Sequence, residues 1–253
     1  MQDALLIFFI LHLLVYPASN GYNSYMDRDE TSIGGIKNPL QPTRQLYYTT
    51  ITLDILAIAL SFLIGIYFTI GLAAYIIASR LYSYRGIRLK QYPVAGYLVV
   101  VFFQGAVAFF LVYHGSSENK TLEVPVSGML ASSLLIGGFY PLTQVYQHES
   151  DKKDGVTTIS MLLGYQGTFI FTAIVYSLAM GVLYFHFKRI TLLKDFYILT
   201  TTMLPVLVYF FIWYFRVRDD TSQASYRNAM QMSLLASVCT NLAFIILLMR
   251  RFI

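Results

Sequence analysis

Apolar runs of about 18 residues or more, each long enough to cross a bilayer as a helix, recur along the whole chain, and no other feature limits its fold so strongly. A helix satisfies its own backbone N–H and C=O groups, so a chain built of such runs can bundle helix against helix inside lipid. Only 12% of its residues are charged and 57% are hydrophobic, whereas a soluble domain carries roughly 25% charged residues. The chain therefore lacks the polar surface that water would require. The expected fold class is an all-α polytopic transmembrane helix bundle, one membrane domain over 1–253, placed in the plasma or inner membrane.

Eight spans are predicted, at about 3–19, 48–65, 67–83, 95–114, 125–147, 167–187, 196–217 and 228–250. Gly65 divides the second from the third, Pro93 and Pro125 suit first turns of helices, and Gly115-Ser116-Ser117 closes the fourth. Pro141 and Pro205 fall inside spans and predict kinks there. The first run opens without a positive charge, and Tyr16-Pro17-Ala18-Ser19-Asn20 is a poor cleavage site, so it reads as a retained helix.

Eight crossings put the loops at 20–46, 84–94, 148–166 and 218–227 on one side. Of the 18 lysines and arginines, twelve fall on that side when span ends are included and six on the other, which predicts the first side as cytoplasmic. Basic residues in such short loops set orientation and meet anionic headgroups, so the net charge of +5 points to the bilayer and to no nucleic-acid partner. The single cysteine, Cys239, excludes disulfide or thiolate-zinc chemistry within one chain.

Two acidic segments fall on the predicted cytoplasmic side. In NGYNSYMDRDE (20–30), Asn23 and Asp27 are four residues apart and share one face of a continuing helix. In YPLTQVYQHESDKKDG (140–155), Gln147 and Asp151 repeat that spacing, with Asp29, Glu30, Glu149 and Asp154 close by in sequence. Amide and carboxylate oxygens are hard ligands of the kind Mg²⁺ takes together with water and substrate phosphate. Facing one another, two such clusters could hold a diphosphate through bridging metal; the plain alternative is a pair of wet, acidic loops. SRLYSYRGIRLK (79–90) adds Arg80, Arg85, Arg88 and Lys90, which would either stabilise charge on a departing diphosphate or simply anchor the loop.

At these residues the sequence resembles the UbiA superfamily of intramembrane prenyltransferases. That family's first motif is NxxxDxxxD; Asn23 to Asp27 match its start, and IKNPL, with Lys37, looks like the basic-then-proline stretch that follows. Its second motif is DxxxD, followed by a glycine and a helix; QHESDKKDGVTTISMLLG matches its second Asp at Asp151, the glycine at Gly155 and the closing Leu163-Gly164. YSYRGIRLK looks like the family's tyrosine-serine-basic segment. The resemblance implies a helical bundle around a central cavity, with Mg²⁺ and a prenyl diphosphate donor held between the motif loops. Loss of diphosphate would give an allylic cation, captured by a small aromatic or other lipophilic acceptor.

The resemblance assigns Asn23, Asp27, Gln147 and Asp151 to the metal–diphosphate site, with Lys37, Arg88 and Lys90 as diphosphate cations. Tyr82 and Tyr84, which lie among them in sequence, are the aromatic residues expected to join the donor-binding site and face the allylic cation. The sequence departs from the pattern where Thr31 and Gln147 stand for carboxylates, so each motif keeps one aligned Asp. The family's usual nine helices would also be one short at the start; either the true start lies upstream or part of the cavity wall is lacking. These departures support the competing reading of a non-catalytic isoprenoid-binding or scaffold member of the same family.

Elsewhere, Asp54 in the second span is expected to reach water from one turn inside the helix. His12 and His114 are expected to be structural, His148 adjoins the second motif, and Trp213 is expected to anchor at the interface.

Overall fold

The computed structural model describes residues 2–28 and 32–251. Among them every regular element is helical, apart from one isolated bridge between Ile33 and Ile36. The helices are α1 (Gln2–Asp27), α2 (Arg44–Ser61), α3 (Ile66–Ser83), α4 (Pro93–Ser116), α5 (Val126–Leu142) and the short α6 (His148–Lys153). They continue with α7 (Ile159–Arg189), α8 (Leu193–Thr202), α9 (Leu204–Asp219) and α10 (Tyr226–Met249).

Among the described residues, six stretches are long and apolar enough to cross a membrane: α1, α3, α4, Val126–Lys153, α7 and α10. α8 and α9 meet at a 42° bend and make a seventh if they form one span. The bend falls at Met203, two residues before Pro205, whose ring sits in the first turn of α9 as its missing N–H requires. α2 is 18 residues long but falls outside this set by composition, because Arg44, Gln45, Asp54 and several threonines interrupt it. The chain is an integral, multi-pass membrane protein.

α1 runs two turns beyond the end predicted at residue 19. Its middle, Phe9–Val15, is wound as a wider π-helix just ahead of Pro17, where an α-turn would drive the proline ring into the carbonyl of Leu13. Past Pro17 the helix is held by packing: Ala18 and Tyr22 are buried, and Gly21 lets α2 close in, since a Cβ there would meet Thr50 Cγ2 at 3.0 Å. Arg28, at φ 54°, ends it in a left-handed turn.

The core has two halves. Ile7, Ile10, Leu14, Phe68, Leu72 and Leu111 join α1, α3 and α4. Leu142, Phe169, Phe210, Trp213 and Met232 join α5, α7, α9 and α10. The expectation for Trp213 is corrected here: it is 1% exposed and donates its indole N–H to Gln223 O at 2.8 Å, so it anchors the turn after α9 from inside the core. In α7 the backbone breaks at Gly164 (φ 69°, ψ 174°), a conformation that glycine adopts without strain. Thr168 Oγ1 bridges that break by donating to Gly164 O at 2.7 Å.

Candidate active site

Between the two halves lies a cavity of about 1240 Å³. Its wall includes Asn23, Asp27, Lys90, Gln147, Asp151 and Asp154, and also Tyr75, Val99, Val100 and Phe103, which lie about two to three turns inside α3 and α4 from the ends that the α3–α4 loop joins. The segment 33–42 crosses beside α10, where Gly35 N–H approaches Met230 Sδ at 3.3 Å. Acidic, basic and aromatic groups from α1, α3, the α3–α4 loop, α4 and the α5–α6 region thus line one space, although Asp27 and Asp154 lie 127 residues apart in sequence.

The last turn of α1 projects Asn23 and Asp27 on one face, as their spacing predicts. Asn23 Oδ1 accepts from Ser83 Oγ at 2.6 Å, tying the amide to the end of α3. The Asp27 side chain is 5% exposed; Lys90 Nζ pairs directly with Oδ2, and Arg88 Nη2 lies 3.6 Å from Oδ1. Both cations come from the α3–α4 loop, where Arg88 takes a left-handed conformation (φ 48°) to start a short 3₁₀ turn, Leu89–Gln91. The same loop reaches both motif segments. Arg85 Nε donates to Met26 O at 2.6 Å, while Arg88 donates to Asp154 O at 3.1 Å and pairs with its carboxylate.

On the other wall a 3₁₀ turn, Val145–Gln147, leads into α6, placing Gln147 just before Asp151's helical turn. His148, next to the motif, helps to fix this piece: its Nε2 lies 2.8 Å from Ser160 Oγ and its ring stacks on Tyr165 at 4.6 Å. Gly155 (φ 68°) then turns the chain back into α7.

Of the residues singled out from the sequence, Asn23, Asp27, Tyr82, Lys90, Gln147 and Asp151 line the cavity. Arg88 stands directly behind Asp27 and Asp154 without being among the lining residues. Lys37 is exposed on the 34–38 turn and Tyr84 is 48% exposed, both away from the lining. Asp29, Glu30 and Thr31 lie outside the described residues.

Asp54 departs from expectation. Because α2 starts at Arg44, Asp54 sits more than two turns inside the helix and, instead of reaching water, pairs with Arg80, which is thereby withdrawn from the cationic patch. His114 is buried and structural, its Nδ1 2.9 Å from Thr121 O, and His12 stacks on Phe8 at 4.7 Å.

Sequence reasoning missed Tyr140, Gln144 and Gln104. Tyr140 shares a hydrogen bond with Tyr82 at the cavity wall. Gln104 lines the cavity from the π-helical part of α4, Val101–Val107. A lone amide inside an apolar run was the available signal, because such groups are costly in lipid and tend to face a cavity.

The donor set suits a small hard dication. Among the described residues Asp27 Oδ1 is buried without a hydrogen-bond partner and is held only by the 3.6 Å ion-pair contact with Arg88, so the carboxylate keeps bonding capacity that a cation could use if Arg88 or Lys90 moved off it. With Asp151 and the amides of Asn23 and Gln147 in the same wall, the available ligands are all oxygens, as Mg²⁺ prefers. No described cluster gathers three or more His, Cys, Asp or Glu side chains in a metal-binding arrangement, so further coordination would have to come from amides, water or substrate.

Comparison with known proteins agrees with this architecture. No curated protein sequence matches the chain. Among solved structures, it is similar to digeranylgeranylglyceryl phosphate synthase, with a TM-score of 0.63 and 19% identity over 97% of this chain and 85% of that one. It is similar to a UbiA homologue from Archaeoglobus fulgidus bound to DMAPP and Mg²⁺, with a TM-score of 0.63 and 20% identity over 96% and 85% of the two chains. The same homologue bound to GPP and Mg²⁺ gives a TM-score of 0.63 at 18% identity, again over 96% and 85%. At these identities the likeness shows the fold; the sequence profile of the family goes further, matching residues 2–235, and the chain belongs to the UbiA prenyltransferase family.

Proposed function

We propose that the chain is a Mg²⁺-dependent prenyltransferase, moving a polyprenyl group from a prenyl diphosphate to a small aromatic or other lipophilic acceptor within the membrane. The observation that carries this reading is one cavity lined both by charged groups, Asp27, Asp151 and Lys90, and by apolar ones, Tyr75, Val99, Val100 and Phe103. A diphosphate with a hydrocarbon tail combines the same two chemistries. Asn23, Asp27, Gln147 and Asp151 would hold the metal. Bound there, Mg²⁺ neutralises the diphosphate and makes it a better leaving group. Lys90 and Arg88, released from Asp27 as the site fills, would pair with diphosphate oxygens, and Lys37 would join them from the 34–38 turn. Tyr75 and Phe103 give the tail an aromatic wall that excludes water and can face positive charge on the prenyl group.

The relatives' ligands support the donor class, since one homologue of this fold binds DMAPP or GPP with Mg²⁺. The excess of basic residues beside the motif segments supports a cytoplasmic position for the charged groups. A second reading, an isoprenoid-binding member without transferase activity, is favoured by one observation: Asp27 is already paired with Lys90 and flanked by Arg88.

The test uses the full chain in proteoliposomes with Mg²⁺, labelled prenyl diphosphates of several lengths and a panel of acceptors. Transfer of label that stops on adding EDTA is expected. Tight diphosphate binding with no labelled acceptor would favour the second reading. No labelled acceptor, together with unchanged diphosphate binding in Asp27→Ala or Asp151→Ala, would defeat the catalytic one.

A further inference from the structure

The innermost reach of the cavity carries a polar group for which the metal–diphosphate site has no use. Val99, Val100, Phe103 and Gln104 recur at i, i+1, i+4 and i+5 on α4, so they share one face, and that face lines the cavity. Among the described lining residues Gln104 is the deepest. It stands eleven residues inside α4 from Pro93, whereas Ser19 and Tyr75 stand eight inside α1 and α3 from Asp27 and Ser83. It is also the twelfth of the 24 residues of its span, which puts it near mid-membrane. The backbone holds it there. Val101–Val107 is π-helical, a rare winding that concentrates at functional sites. Gly105, the next residue, presents bare backbone to α5, where a Cβ would lie 2.4 Å from Ser133 Cα, so α4 is fixed in its rotation against α5. The Gln104 side chain is exposed at the cavity wall and among the described residues has no hydrogen-bond partner.

Along the helix axis Gln104 lies about 16 Å from Pro93, beyond reach of a diphosphate held at Asp27 and Lys90 or of the carbon bonded to it. What comes to this depth is the far part of the donor's tail, and a hydrocarbon offers an amide neither a donor nor an acceptor. A tail that covers Gln104 strips the amide of water and returns no bond. A polar group left unpaired by one ligand and not by another is a means of discrimination. We infer that Gln104 determines specificity for tail length, its amide disfavouring a donor whose tail is long enough to cover it. An extended chain advances about 1.2 Å per bond, so a farnesyl tail of about 14 Å stops short of the amide and a geranylgeranyl tail of about 19 Å covers it. Asn20 and the hydrogen-bonded Ser19–Ser79 pair line the cavity nearer the charged groups. Both tails pass them, so they cancel in a comparison of the two lengths. The inference rests on the prenyl diphosphate reading for its ligand and deepens it by assigning tail length to one residue.

The experiment measures binding, with the full chain in proteoliposomes, Mg²⁺ and no acceptor, titrated with labelled geranyl, farnesyl and geranylgeranyl diphosphates. Partition of the longer tails into lipid is the same for every variant and drops out when variants are compared. Gln104→Met keeps the volume and removes the amide. Its ratio of geranylgeranyl to farnesyl affinity is expected to rise about tenfold over that of the unaltered protein. The farnesyl-to-geranyl ratio, in which neither tail covers the amide, is expected to stay. Gln104→Glu, whose carboxylate costs more to cover, is expected to lower the geranylgeranyl-to-farnesyl ratio. A gain in affinity for one tail and not another cannot come from general damage to the fold. An unchanged ratio in Gln104→Met overturns the inference, and so does a fall, since the amide would then assist the long tail. Failure of all three diphosphates to bind the unaltered protein would defeat the proposed function and this inference with it. Binding without transfer in a parallel assay would defeat transfer alone and leave the ratios readable.

Discussion

Two partly buried aspartate–arginine contacts lie in the half of the molecule built from α1 to α4, and they differ in what they leave unsatisfied. In the Asp54–Arg80 pair the side chains are 13% and 16% exposed, and Arg80 Nε donates to Asp54 Oδ2 at 2.8 Å. The same guanidinium donates to Thr50 O at 3.2 Å and lies 4.0 Å from the centre of the Tyr22 ring. In the Asp27–Arg88 contact the side chains are 5% and 11% exposed, yet among the described residues Asp27 Oδ1 and Arg88 Nε lack hydrogen-bond partners. Asp27 also lines a large cavity, and Asp54 does not. Residue type and burial are thus the same in both places. What distinguishes a fastener between helices from a site is unsatisfied bonding capacity beside open space.

The largest effect that would break this comparison concerns the fastener. Asp54→Ala leaves Arg80 partly buried beside Thr50 and Tyr22 without its carboxylate, which should cost about 3–5 kcal/mol of stability. Thermal unfolding in detergent measures this, and the double variant Asp54→Leu/Arg80→Met should recover most of the loss. Prenyl diphosphate affinity per folded molecule should stay unchanged in both. A selective loss of that affinity would move Asp54 into the site. Asp27→Asn should behave in the opposite way, keeping its fold while weakening Mg²⁺-dependent prenyl diphosphate binding about 10²-fold, within the range for removing one charge-stabilising group. A fall in stability with affinity intact would make Asp27 a second fastener.

Much of the frame was legible in the sequence because lipid leaves a chain few choices: long apolar runs become helices, and Pro93 and Pro125 mark helix starts where expected. The Asn23–Asp27 spacing was legible as a shared face, since helical periodicity is local, whereas Gln147 stands in the 3₁₀ turn before the helix that carries Asp151. Partnership was not. Whether Arg80 turns to Asp54 or to the cavity depends on how α2 and α3 pack, and hydropathy carries no such information. Trp213 was misread for a similar reason: aromatic residues near span ends often face headgroups, but the 42° bend between α8 and α9 comes with a tryptophan packed inside the core. Gln144 escaped notice because an amide beside a polar loop looks ordinary until its oxygen proves to be buried without a hydrogen-bond partner among the described residues.

The last two predictions concern cations that the sequence treats as equals. The Lys90 side chain is 11% exposed, sits on Asp27 and lines the cavity, whereas Lys37 is exposed on a turn tied by Ser32 Oγ donating to the Lys37 carbonyl at 2.9 Å and by Gly35 N–H approaching Met230 Sδ. An ammonium held in a shielded site interacts with a diphosphate in a lower effective dielectric than one surrounded by water. Lys90→Met should therefore weaken prenyl diphosphate binding about tenfold, with little dependence on added salt. Lys37→Ala should weaken it less than about twofold at 0.15 M salt, and the difference should fade as salt is raised, because screening acts mainly on exposed charge. Titrating labelled diphosphate at low and high salt reads both variants together. If Lys37→Ala costs as much as Lys90→Met at both salt concentrations, the 34–38 turn must close over the bound diphosphate, and burial in the empty protein would then be a poor guide to which cations hold the ligand.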